Sequence, residues 1–158
     1  MNKDSTYDDL FKGIVGHIEN YRDNISVIKE QALLEMYWNM GEELLTLKPL
    51  TESILDDFKK AMNHQLGSDP LFKSDGTNRH WLKLAVRWVE EHQYHDKSIM
   101  LSGKAAWADW ALVLDIVNSP THRYWLICQT IKNKWDRLTL LREAQKLPKQ
   151  YLNLGDNA

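Results

Sequence analysis

The chain has 158 residues, of which 43% are apolar and 27% charged, and its formal net charge is −2. That length and balance suit one folded domain with its own core and exclude a disordered chain. A net charge of −2 lacks the strong basic footprint usual in nucleic-acid binders, and the single cysteine, Cys128, excludes an internal disulfide.

Tyr7, Phe11, Ile14, Ile18, Tyr21, Ile25, Ile28 and Ala32 recur at alternating spacings of four and three. That is a heptad seam, and no proline interrupts it. It predicts one long helix over about residues 6–46. Beyond Ala32 the stripe widens through Leu33, Leu34, Met36, Tyr37, Met40 and Leu44. The first part thus suits one neighbouring helix and the second a globular core. Gly41 lies inside this helix, where glycine costs about 1 kcal/mol relative to alanine, so another helix is expected to approach closely there.

Pro49 ends that element. Thr51 or Ser53 caps the next helix, which carries Ile54, Leu55, Phe58 and Met62 and stops near Gly67. Gly67-Ser68-Asp69-Pro70 and Ser74-Asp75-Gly76 have turn chemistry. Thr77 or Asn78 then caps a helix to about His92, with Trp81, Leu84, Ala85, Trp88 and Val89 on one face. A loop containing Gly103 follows, then a helix over Lys104–Val117. Ser119-Pro120 marks a further helix start, serine as cap and proline at the first helical position. Asp136 caps a last helix that ends before Pro148. No alternating strand pattern exceeds four residues. The expected fold is all-α, a single domain over 1–158 with five to six helices: a long N-terminal helix, a helix-turn-helix-like centre, a helical core over about 51–147 and a loose tail over 152–158.

Leu34-Glu35-Met36-Tyr37-Trp38-Asn39-Met40-Gly41 is similar to the signature that closes the first long helix in the N-terminal domain of the YhcG-like PD-(D/E)XK nuclease family. Trp107 at the head of a helix resembles that family's Trp-Ser-His segment. Arg123-Tyr124 followed by Asn133-Lys134-Trp135-Asp136-Arg137 resembles its "Arg-x-Phe-Tyr … Asn-x-Trp-Ser" run. Asp136 stands where the family often has serine, and both residues cap helices. The resemblance covers about residues 7–146. It implies a helical, helix-turn-helix-like domain usually followed by a nuclease domain. With no nuclease domain in this sequence, it implies an accessory, recognition or assembly role and not cleavage.

The candidate sites follow from charge and exposure. The first 66 residues hold 7 Lys/Arg against 12 Asp/Glu, and the rest 13 against 10, so basic groups gather in the second part. Lys73, Arg79, His80, Lys83 and Arg87 surround the central turn and the helix after it, where a helix-turn-helix would meet phosphates and base edges. Lys132, Lys134 and Arg137 flank Trp135 as a second basic patch. Phe11, Ile14, Ile18, Tyr21, Ile25 and Ile28 form the expected oligomerisation seam. Glu19, Asp23 and Glu30 against Lys12, Arg22 and Lys29 are candidates for setting its register. Seven tryptophans suggest an aromatic core, with one or two left as stacking or anchoring groups.

No catalytic constellation stands out. Asp56, Asp57 and Lys59 echo a nuclease set but lie on a predicted helix and not at strand ends. His92 and His95 are three apart, not the four of a zinc-binding His-Glu-x-x-His helix. Cys128 has no histidine placed to activate it. No metal or other cofactor is expected. The expected partners are DNA, further copies of the chain and a nuclease-domain protein. No segment approaches the roughly 18 apolar residues of a membrane span, and no signal peptide is evident, so the expected location is the cytoplasm. The two functional readings are a nucleic-acid-binding or nuclease-associated accessory domain, and an interaction or oligomerisation module that binds no nucleic acid.

Overall fold

The computed structural model describes residues 3–47, 50–66 and 78–153. Helix α1 spans Lys3–Leu45, 43 residues, or about 65 Å at 1.5 Å per residue. It is followed by α2 (Glu52–Leu66), α3 (Asn78–Glu91), α4 (Lys97–Met100), α5 (Trp107–Ile116), α6 (Pro120–Asn133), α7 (Arg137–Gln145) and a 3₁₀ turn at Lys149–Tyr151. The protein is all-α, and its seven α-helices among the described residues exceed the expected five to six.

Capping chemistry fixes most of the boundaries. Ile54 N–H donates to Thr51 Oγ1 at 3.2 Å, so Thr51 opens α2. Ser119 precedes Pro120 at the start of α6. Thr139 N–H donates to Asp136 Oδ1 at 2.8 Å at the start of α7. Helix α4 was not expected. Asp96 caps it, accepting from Ser98 N–H at 2.9 Å. Helix α5 begins at Trp107, three residues later than expected. Asp109 accepts from Ala106 N–H at 3.0 Å, and Glu30 of α1 accepts from Trp107 N–H at 3.3 Å. Two carboxylates therefore hold the first turn of α5.

The tail departs from expectation at its start. Leu152 pairs with Val117 in an isolated antiparallel bridge, and Asn153 N–H donates to Ile116 O at 2.8 Å. Order extends at least to Asn153, because these bonds tie the chain to the end of α5. The central turn, residues 67–77 with Lys73, lies outside the described residues, as do 154–158.

The core lies between the C-terminal part of α1 and helices α3, α5, α6 and α7. Leu34, Tyr37, Trp38 and Leu44 of α1 are buried against Leu82, Leu84, Ala85, Trp88 and Val89 of α3. A Cβ on Gly41 would stand 2.6 Å from Ala85 O and 2.8 Å from Val89 Cγ2, so α1 and α3 touch where the sequence predicted a close approach. Tyr37 stacks on Trp107 with centroids 4.5 Å apart, Trp38 meets Trp88 edge-on at 5.0 Å, and Trp88 meets Trp110 at 5.4 Å. Arg123 of α6 is fully buried. Its Nε donates to Val117 O at 2.6 Å and its Nη1 to Glu91 Oε2 at 2.7 Å.

Candidate functional site

The N-terminal part of α1 leaves the body. Leu10, Phe11, Ile14, Tyr21 and Ile28 are 60–66% exposed and Ile18 is 46% exposed, while Ile25 is half-buried. At 100° per residue these seam positions share one side of the helix. Val27, Glu30, Leu34, Tyr37, Gly41 and Leu44 share the opposite side, and that side carries the body. Gly103, at φ +80°, lies against the backbone of Val27 and Gln31. The body therefore leaves the seam uncovered over these residues.

Followed toward the C-terminus, the line of the seam passes through Glu35, Asn39 and Glu42, all exposed. The apolar stripe ends where the body begins on the other face. Glu30, one of the acids expected to flank the seam, turns instead to the body and binds the start of α5. Its helical phase carried this signal, but its partner is 77 residues away.

The central basic set is drawn into ion pairs. Arg79 bonds Glu52 and lies 3.6 Å from Asp56, and Lys83 Nζ reaches Glu52 at 3.0 Å. His80 Nε2 meets Asp115 Oδ1 at 2.7 Å, and Arg87 Nε lies 3.7 Å from Glu91. Acids of α2, α3 and α5 thus sit beside each of these basic side chains. In the second patch Arg137 bonds Asp109 at 3.1 Å. Lys132 and Lys134 are exposed and make no ion pair among the described residues. Lys134 closes α6 in the left-handed conformation, φ 52°.

Asp56, Asp57 and Lys59 all lie on α2, with Asp56 facing Arg79. Among the described residues no group of three or more His, Cys, Asp or Glu is placed to hold a metal ion. His92 Nδ1 and His95 Nδ1 are 3.1 Å apart. Burial, and then the charges of Arg123, His95 and Arg87, push the His92 pKa down to about 3, so its ring is neutral. His95 stacks on Tyr124 at 4.3 Å, and its pKa is also lowered by burial. Cys128 is half-buried. Trp125, at 49% exposure, stands out on α6 beside Thr121, His122 and Leu147. The α6 pattern alone does not separate it from the buried Leu126 and Ile127.

The model for the DUF1016 N-terminal domain matches residues 13–149. The chain belongs to the DUF1016 family. This is the YhcG-like family that the sequence resembles. Comparison with curated proteins and with solved structures found no match in either. Many of the residues that carry the DUF1016 resemblance are architectural, although Asn133, Lys134 and Arg137 of its last run are exposed. Leu34, Tyr37, Trp107 and Arg123 have no exposed surface, Trp38 is 2% exposed, Gly41 meets α3, and Asp136 caps α7. These buried and capping residues of the DUF1016 signature describe how the body packs. The exposed seam from Ile14 to Ile28 also falls within the matched stretch. Among the described residues no helix is long and apolar enough to cross a membrane.

Proposed function

We propose that this chain is an assembly domain without cleavage chemistry of its own, self-associating through α1 and serving as accessory to a nuclease-domain protein. The carrying observation is the exposed stripe Phe11, Ile14, Ile18, Tyr21 and Ile28 on a face of α1 turned away from the body. Each isoleucine buried fully is worth about 1.5–3 kcal/mol. Contiguous exposed apolar surface of this kind marks an interaction site. The nuclease association rests on the usual company of the family's N-terminal domain.

A second reading, docking on nucleic acid, has one specific support: Lys132 and Lys134 stand exposed beside Trp135, without ion pairs among the described residues. The acids paired with Arg79, Lys83 and Arg87 favour the assembly reading, because phosphates must displace them.

Light scattering at tens of micromolar tests the assembly reading. The wild-type chain is expected at two or more times its 18.6 kDa mass. Ile14→Asp combined with Ile18→Asp places charges in the seam and is expected to leave a folded monomer, because neither side chain belongs to the core. A wild-type monomer overturns the reading. A salt-sensitive duplex-DNA mobility shift by that monomeric variant favours the second reading instead.

A further inference from the structure

We propose that the occupant of the seam is α1 of a second copy, running antiparallel, in the register that places Phe11 against Ile28, Ile14 against Ile25 and Ile18 against Tyr21. This deepens the assembly reading and rests on it.

The register follows from the spacing. In heptad terms Phe11, Ile18 and Ile25 are a positions and Ile14, Tyr21 and Ile28 are d positions. Antiparallel helices pack a against d of the partner. With the dyad between Glu19 and Asn20, each of the six finds another of the six, giving six layers from three distinct pairs. Shifting by one heptad in one direction sets Phe11 against Glu35, which is exposed where the seam has turned polar. Shifting the other way carries Ile28 to the level of Asp4. The chosen register alone uses the whole apolar length. Each ring, Phe11 and Tyr21, then faces an isoleucine, whereas parallel helices in register set ring against ring.

The flanking charges agree. On one flank, the antiparallel register brings Asp8 opposite Lys29 of the second copy, twice by symmetry, and Val15 opposite Arg22. On the other flank it brings His17 opposite Asn24 and Leu10 opposite Gln31. No like charges meet. Parallel pairing over Leu10–Lys29 sets His17 beside Arg22 and Asn24 beside Lys29, with no opposite charges in contact. Asp8, Arg22 and Lys29 are all exposed. The two bodies lie on the outer faces of the helix pair, at opposite ends, so neither obstructs the seam.

Disulfide trapping in the full chain distinguishes the arrangements. Phe11→Cys and Ile28→Cys are made separately, each with Cys128→Ser and one with a size tag. In the proposed pair the two engineered positions face each other. Phe11 and its own copy lie about 25 Å apart along the axis, far beyond the roughly 7 Å between Cα atoms that a disulfide spans. The mixture is expected to yield about ten-fold more cross-linked product than either chain alone. Efficient self-cross-linking of either chain alone identifies parallel helices and overturns the proposal. A dimer by scattering with no cross-link in the mixture places the contact elsewhere and also overturns it, while the assembly reading stands. A trimer or larger assembly overturns the two-helix arrangement. A wild-type monomer overturns both.

Discussion

His92 links the acid stability of the fold to a buried ring, and His95, whose pKa burial also lowers, acts in the same direction. His92 is fully buried against Trp110, with centroids 5.1 Å apart, and burial first and Arg123 second push its pKa down to about 3. In the unfolded chain the ring returns to about 6.5. Between those values the unfolded state binds more protons than the folded one, so stability rises with pH. The contribution is fully present above about pH 6.5 and is lost progressively as pH falls toward 3. One proton corresponds to a slope of up to about 1.4 kcal/mol per pH unit. Urea unfolding between pH 6.5 and 4.5 is expected to follow that slope. His92→Gln is expected to flatten it, and an unchanged slope assigns the effect to another group. That window lies above the range of Asp96 and Asp136, whose pKa values are lowered by hydrogen bonds from Ser98 and Thr139. Their stabilisation is present above about 3.8 and disappears only as pH falls through their still lower folded values.

At the scale of the helix, the contact of α1 with α3 sets the tolerance of Gly41. Alanine there gains about 1 kcal/mol of helix propensity. Its Cβ would press into Ala85 O and Val89 Cγ2 at 2.6 and 2.8 Å, and overpacking of this kind costs about 1–3 kcal/mol or more. Gly41→Ala is therefore expected to lower the unfolding midpoint, and a raised midpoint shows that the helices can part without cost. Much of this architecture is legible in the residues. The 3.6-residue period places α1, α2, α3 and α6, and Thr51, Ser119 and Asp136 mark the starts of α2, α6 and α7 because a side-chain cap is a local event. Helix α4, four residues long, is too short to show a period. The delayed start of α5 depends on Glu30, a residue distant in sequence. The seam is legible as a narrow stripe, but its exposure is not, because a stripe of that width suits a neighbouring helix of the same chain equally well. The fate of the basic set is not legible either, because the acids that meet Arg79, Lys83 and His80 come from helices brought together only by folding.

At the scale of the whole molecule, the protein joins two parts whose order has different sources. The body owes its order to its own core, whose rings Tyr37, Trp88, Trp107 and Trp110 are fully buried. The N-terminal part of α1 has no such cover, and Gly13 and Gly16 sit in it with nothing within 4 Å of where a Cβ would be. Each glycine weakens a solvated helix by about 1 kcal/mol relative to alanine. Continuity with the packed part of α1 removes the nucleation cost, yet short helices in water remain marginal without tertiary contacts. The proposed association through the seam would supply those contacts, so helix order there should follow concentration by mass action. On dilution below the dissociation constant, the far-ultraviolet helical signal is expected to fall by about a fifth as residues 8–26 fray. The near-ultraviolet signal of the tryptophan cluster is expected to stay constant, because the body does not open. The Ile14→Asp, Ile18→Asp variant should show the diluted spectrum at every concentration. Hydrogen exchange in that variant should be fast over residues 10–26 and slow over 34–44, where α1 lies on α3. If both spectral signals fall together, the N-terminal half of α1 belongs to one cooperative unit with the body. If the variant keeps the full helical signal and slow exchange throughout α1, the helix stands without a partner and the link between association and order is wrong.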